Sequence, residues 1–312
     1  MDDSGQKGFI WMTYAVLILV IALSTYLHHF QPQVLKVPSN RDVSTWKHPT
    51  FEQTAIYDRM TEAERLKVRT EGIPDGCDLK AQFEVDLFMI IVGLFCYRHS
   101  RINFGFLMAS CFLIGSFVYT GLVESIFILT GRFLGGTLNF EPGGVLLGTY
   151  WFSKGCFWFV ETPLVACLGW YAIAYSCVWV AGKVFPKMGL WPRAAVGGFI
   201  AMNTDLWADP VATSPELMNW VWGKGDFFML FGIPFYNFIG WFLIIFLFAV
   251  FWESLPLMEM KWGRVKGAAY FMAVCTGGAF VTALFIFVFW FVIAGGIASL
   301  AGMRPYQLPS GW

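Results

Sequence analysis

Charge and histidine are what this chain has least of. Charged residues make up 13% of its 312 residues, about half the share of an ordinary soluble chain. Lys+Arg and Asp+Glu number 21 each, so no polybasic surface exists and nucleic acid is excluded as a partner. The four histidines are His28, His29, His48 and His99, and none lies in the interior of an apolar run. Axial pairs for an intramembrane haem and imidazole clusters for non-haem iron are therefore missing. The seven cysteines, at positions 77, 96, 111, 156, 167, 177 and 275, form no CxxC pair. All but Cys77 fall in apolar runs, where a thiol serves as a small filler. No metal site and no cofactor is expected.

Apolar residues, by contrast, reach 57% and the mean hydropathy is +0.59. The apolar runs are long and continuous, whereas a membrane β-barrel needs short alternating strands. The composition thus predicts an all-α integral membrane protein. A helical span takes about 20 mostly apolar residues. Seven such runs are present, at roughly 9–30, 83–97, 102–130, 156–181, 194–209, 227–252 and 267–301. The last contains Gly277-Gly278 and Gly295-Gly296, where it can bend. The first is too long for a signal peptide and no small-residue cleavage pattern follows it, so it reads as a retained anchor.

Loop charge orients the bundle. Arg98, Arg101, Lys183, Lys187, Arg193, Lys261, Arg264 and Lys266 fall in three alternating loops; the opposite short loops and the C-terminus hold Arg132, Lys154, Lys224 and Arg304. The N-terminus is expected inside and the C-terminus outside, in the cytoplasmic (inner) membrane of a prokaryote. Residues 31–82, with eight basic and eight acidic residues, are then outside. Within them Thr61 and Glu64 have capping-box spacing and Gly72 suits a C-cap, predicting a short extramembrane helix over 61–71. Two parts follow: residues 1–82, an anchor plus outer segment able to dock other membrane subunits, and residues 83–312, a six-helix membrane domain.

Carboxylates inside spans cost about 2.5–3.5 kcal/mol each on insertion scales, so each asks for a reason. Glu253, at a span end, is explained by solvation. Glu124, Glu161, Asp205, Asp209 and the uncharged Asn237 all map to the outer half of the bundle or near its middle, predicting one buried polar pocket. Asp205 and Asp209 are four apart and share a helix face, and Pro210 is placed to end that helix. Two carboxyls so close in a low dielectric cannot both ionise, which leaves an acid beside a base. The same pair could instead hold Mg²⁺ and a diphosphate, and NTDLWAD faintly resembles an intramembrane prenyltransferase signature. A second such motif and nearby cations are missing. The Gly-rich stretch 131–148 has no Lys-Ser/Thr and is not a phosphate loop. Trp207, Trp220, Trp222, Phe235, Tyr236 and Trp241 crowd the paired Asp, as an interfacial belt or as a slot for a polyene. No internal repeat stands out, which counts against a transporter.

The run DLWADP followed by WVWGKGDFFMLFGIPFYNFIGWFLI resembles the membrane carotenoid biosynthesis protein family. That family includes bacterial and archaeal carotenoid 1,2-hydratases acting on γ-carotene and on bisanhydrobacterioruberin. The matching residues are Asp205, Asp209-Pro210, Trp220, Trp222, Gly232-Ile233-Pro234, Asn237-Phe238 and Gly240-Trp241. An earlier block holds Glu124, Thr130-Gly131, Tyr150 and ETPLVACLGWYAIAYS. The resemblance covers about residues 102–255. Residues 1–82 look like an addition, the loop between Gly135 and Gly148 is enlarged and Glu161 replaces an apolar position, which leaves the carotenoid open. The resemblance implies hydration of a ψ-end carotenoid or other long isoprenoid, drawn from membrane lipid. Asp205 or Asp209 would donate the proton, Glu124 or Glu161 would act as partner base and Asn237 would orient water. Tyr150, Trp207, Trp220, Trp222, Tyr236 and Trp241 would line the substrate. A non-catalytic carotenoid- or lipid-binding subunit and a Mg-dependent prenyltransferase are the alternatives.

Overall fold

A computed structural model describes residues 3–35, 51–76, 78–134, 150–223 and 229–289, and every structural statement below concerns those residues. Cys77, most of the Gly-rich stretch and the Gly295-Gly296 bend lie outside them. The chain is mostly helical: α1 (Asp3–Phe30), α2 (Pro32–Leu35), α3 (Glu62–Glu71), α4 (Leu79–Leu134), α5 (Leu164–Val184), α6 (Leu190–Ala212), α7 (Phe235–Trp262) and α8 (Arg264–Phe287). Five helices are long and apolar enough to cross a membrane, those in α1, α4, α5, α7 and α8. This is a multi-pass membrane architecture.

α4 is one helical run by hydrogen bonding but not one rod. Gly105 interrupts it at φ 81° and ψ 172°, a region open essentially to glycine alone. The Tyr97 hydroxyl lies 2.9 Å from that of Ser110, although a straight helix would hold residues so far apart in sequence about 20 Å apart. The chain therefore folds back at Gly105 into two arms, 79–104 and 106–134. α4, α5, α6, α7 and α8 pack in that order into a closed ring, α8 returning to α4. Its core is aromatic: Phe112, Tyr119, Tyr171, Phe248 and Phe271 are fully buried. Gly198 lets α6 approach α7 closely, since a Cβ there would meet the Phe242 carbonyl oxygen at 2.8 Å.

Three short antiparallel pairs depart from the all-α expectation. β1 (Tyr150–Phe152) pairs with β4 (Trp220–Trp222), Tyr150 opposite Trp222 and Phe152 opposite Trp220. β2 (Trp158–Phe159) and β3 (Thr162–Pro163) form a tight hairpin before α5; β5 (Met229–Leu230) and β6 (Ile233–Pro234) form another before α7. The spans expected to begin at 156 and 227 thus begin at Leu164 and Phe235. Both hairpins turn through a non-glycine residue of positive φ, Val160 at 55° and Phe231 at 54°. Both end in a proline that caps the next helix, Pro163 and Pro234.

An internal repeat is visible here that the sequence reading did not find. Helix, single strand, hairpin, proline and helix occur twice, from the second arm of α4 to α5 and from α6 to α7. Pro163, Gly169 and Trp170 correspond to Pro234, Gly240 and Trp241 at identical spacing.

Outside the ring, α1 runs along α4 and the β2–β3 hairpin. Its Thr25 and Ser24 hydroxyls accept the Trp158 and Val160 N–H groups at 2.9 and 3.0 Å, and the His28 ring stacks on Trp158 at 3.8 Å. The expected extramembrane helix is α3. Thr61 and Glu64 close its capping box, and the Thr61 backbone and hydroxyl hold the Glu64 carboxylate below its ordinary range. Pro210 does not end α6, which continues to Ala212 because Thr213 N–H still bonds the Asp209 carbonyl at 2.9 Å. Glu253 is not a solvated end: Arg193 at the start of α6 binds both of its carboxylate oxygens.

Candidate functional site

Strand alternation builds the roof of a cavity. Tyr150, Phe152, Trp220 and Trp222 point into it from β1 and β4, as residues two apart must share a face. Trp151 and Val221 point the other way, into a cluster with Phe51, Ile56, Met60, Val68 and Ile73 of the segment around α3. That segment is tied on by the Ala55 N–H, which bonds the Trp222 carbonyl at 2.8 Å.

The cavity holds about 270 Å³. Its inner wall carries Glu124 from α4, Asp209 from α6 and Asn237 from α7, with the indoles of Trp170 and Trp241. Those two rings, equivalent in the two repeats, pack at 4.2 Å between centroids. The Trp170 indole N–H bonds Glu124 Oε1 at 2.8 Å. Outward, the cavity reaches Met89 and Val85 on the first arm of α4, and Val85 is 51% exposed.

Asp205 and Asp209 lie one helical turn apart and their carboxyls contact each other. The Asn237 carboxamide nitrogen donates to both, at 2.7 Å to Asp205 Oδ2 and closer still to Asp209 Oδ2. Asp209 reaches the cavity wall and faces the Trp220 indole. Asp205 is 0% exposed, does not line the cavity, and its Oδ1 bonds no donor among the described residues.

The structure thus brings Asp205, Asp209, Asn237 and Glu124 together, with Tyr150, Trp220, Trp222 and Trp241 around them. Tyr236 is buried in contact with Trp222 and sits behind the main cavity. Two expected members are elsewhere. Glu161 is buried in the turn of the β2–β3 hairpin, its N–H bonded to the Ser125 hydroxyl at 3.1 Å, and does not line the cavity. Trp207 is 66% exposed on the outer side of α6. It is two residues from each Asp and so turned to the opposite helix face.

Three residues escaped sequence reasoning. Trp170 is one, lying in the stretch ETPLVACLGWYAIAYS and in a Gly-Trp pair that recurs at Gly240-Trp241, but not read as part of the site. Lys154 lines the cavity and bonds the Pro74 carbonyl at 2.9 Å. Burial pushes its ammonium below the usual lysine range, and Asp75 opposes that shift. Asp86, a carboxylate inside the second apolar run, is buried; its Oδ2 accepts the Phe157 N–H at 3.1 Å and its Oδ1 bonds no donor among the described residues. Among the described residues no three His, Cys, Asp or Glu side chains are grouped to hold a metal ion. No protein-family model, curated protein or solved structure matches the chain.

Proposed function

We propose that this is a membrane enzyme that adds water to the terminal double bond of a long isoprenoid, of the ψ-end carotenoid type. The observation that carries the reading is the Asn237 carboxamide bridging Asp205 and Asp209 at the wall of an aromatic cavity. Two contacting carboxyls away from water share a proton, so the pair holds an acid beside its conjugate base at the cavity wall. An isolated trisubstituted alkene needs such an acid: protonation of its inner carbon leaves a tertiary cation on the terminal one. The faces of Tyr150, Trp170, Trp220, Trp222 and Trp241 suit that cation. A cavity of about 270 Å³, at the small end of ligand pockets, fits an end group while the remaining polyene lies among lipid. The resemblance of residues 102–255 to carotenoid hydratases points the same way.

α1, the two arms of α4, α5, α6, α7 and α8 make seven crossings in this reading. The alternating Lys and Arg loops support an inside N-terminus and a prokaryotic inner membrane. Residues 1–82 would serve as an added anchor and docking segment. The repeated helix–hairpin–helix unit favours a second reading, a carrier that moves a lipid through the ring without changing it.

Expression in a host that accumulates ψ-end carotenoids, with pigment masses compared, tests the proposal. The expected result is a mass gain of one water per end group, unaffected by chelator. Bound pigment recovered unchanged refutes hydration and leaves a carrier or binding subunit. Products that need Mg²⁺ and a diphosphate substrate establish prenyl transfer.

A further inference from the structure

Behind the main cavity lies a second chamber of about 30 Å³. A buried water needs about 10–15 Å³ of such volume and two to four polar partners. The chamber has both, since Glu124, Asn237 and Trp222 line it. The Asn237 nitrogen is engaged by the two Asp, which leaves its carbonyl oxygen as an acceptor. The Trp222 indole, 3% exposed, is a buried donor with no partner among the described residues. Glu124, Tyr150, Trp222, Asn237 and Trp241 belong to both chambers, whereas Asp209 lines only the larger.

We infer that the small chamber is the binding site of the attacking water, held by Trp222 and Glu124. This rests on the hydratase reading and assigns its two half-steps to different walls. The dyad's proton and the alkene π pair form the new C–H bond. A lone pair of the chamber water then forms the C–O bond, and the proton released from that oxygen passes to the Glu124 carboxylate. Glu124 returns a proton to the dyad across the cavity they share, so the net reaction consumes one water. Trp222 donates to the water oxygen, keeping it aimed at the cation.

Two variants isolate the chamber. Gly240 lines it, and a Cβ there would meet only Ile286 Cδ1, at 4.0 Å. Gly240→Ala therefore fills the chamber without a clash or a change in polar groups. Trp222→Phe keeps an aromatic face and removes the N–H. Each is assayed in D2O with a ψ-end carotenoid, after size-exclusion chromatography shows that the variant is folded. The unaltered protein should give hydrated, deuterated product. The variants should lose hydration by about tenfold, the worth of one hydrogen bond. They should still exchange deuterium into unhydrated substrate, because the cation forms and collapses by losing a proton. Hydration equal to that of the unaltered protein in both variants overturns the water chamber and leaves the hydratase. Loss of exchange and hydration in equal measure also overturns it. An unaltered protein that neither hydrates nor exchanges overturns the hydratase reading, and the chamber with it.

Discussion

Replacing each aspartate of the dyad by asparagine tests which of the two would meet substrate in the proposed hydration. Asp209 lines the cavity and Asp205 lies wholly behind it. Asp209→Asn keeps size and removes the transferable proton at the wall. A positioned general acid contributes about 10²–10⁴-fold, or about 3–5 kcal/mol at 1.36 kcal/mol per decade, and turnover should fall by that much with KM little changed. Asp205→Asn leaves the wall intact, and its new amide can still donate to Asp209. The loss is then of the order of one hydrogen bond, about 1 kcal/mol or somewhat under tenfold. Neither variant should melt earlier, because the amide keeps the size of the carboxyl it replaces and leaves a single carboxyl with no like neighbour. The assay is hydrated end group formed per minute in washed membranes, with thermal melting of the detergent-solubilised protein as the folding control. Asp205→Asn at least as inactive as Asp209→Asn, in folded protein, would refute the assignment of the donor to Asp209.

Asn237→Ala strips both carboxyls of their shared donor. It should cost about 1–3 kcal/mol, read as a lower melting temperature, together with activity. Asp86→Ala leaves the Phe157 N–H without its acceptor; a loss of about 1–3 kcal/mol is expected, partly recovered by Asp86→Asn in the same melts. Gly105→Ala meets no atom within 4 Å, so its cost is backbone strain alone, about 1–3 kcal/mol by thermal unfolding. Trp207→Ala should leave turnover and KM unchanged in the membrane assay, since Trp207 lies outside the cavity.

The helices were legible because long apolar runs admit little else, and α3 was legible because Thr61, Glu64 and Gly72 are local signals. The segments 156–163 and 229–234 were read as helix because such a hairpin is as apolar as a helical span. Periodicity does not separate the two over so few residues. Glu161 moved with that error: depth along an assumed span placed it near the dyad, but a hairpin turn carries it away. Trp207 could have been excluded from helical geometry, since the spacing that joins Asp205 to Asp209 sends the residue between them outward. The Arg193–Glu253 pair was beyond reach, because no local pattern joins the start of one helix to a position inside another. Asp86 was in plain view, a charge inside an apolar run that the cost of burial should have singled out.

The repeat explains why the polar groups gather where they do. Each copy delivers its second helix from a proline-capped hairpin, and each sends a Gly-Trp pair to the centre, where Trp170 and Trp241 meet. The antiparallel pairing of β1 with β4 roofs the same point. A frame built twice supplies walls that match, and matching walls alone would make an apolar slot. Chemistry enters where the copies differ. Counting from the prolines, Ala166 of the first copy corresponds to Asn237 of the second, and both line the cavity. The second copy, through Asn237, holds the acid pair on α6. The first, through Trp170, holds Glu124 on α4. In the proposed hydration one wall would supply the proton and the other the base, and an end group lying between them would meet both without turning.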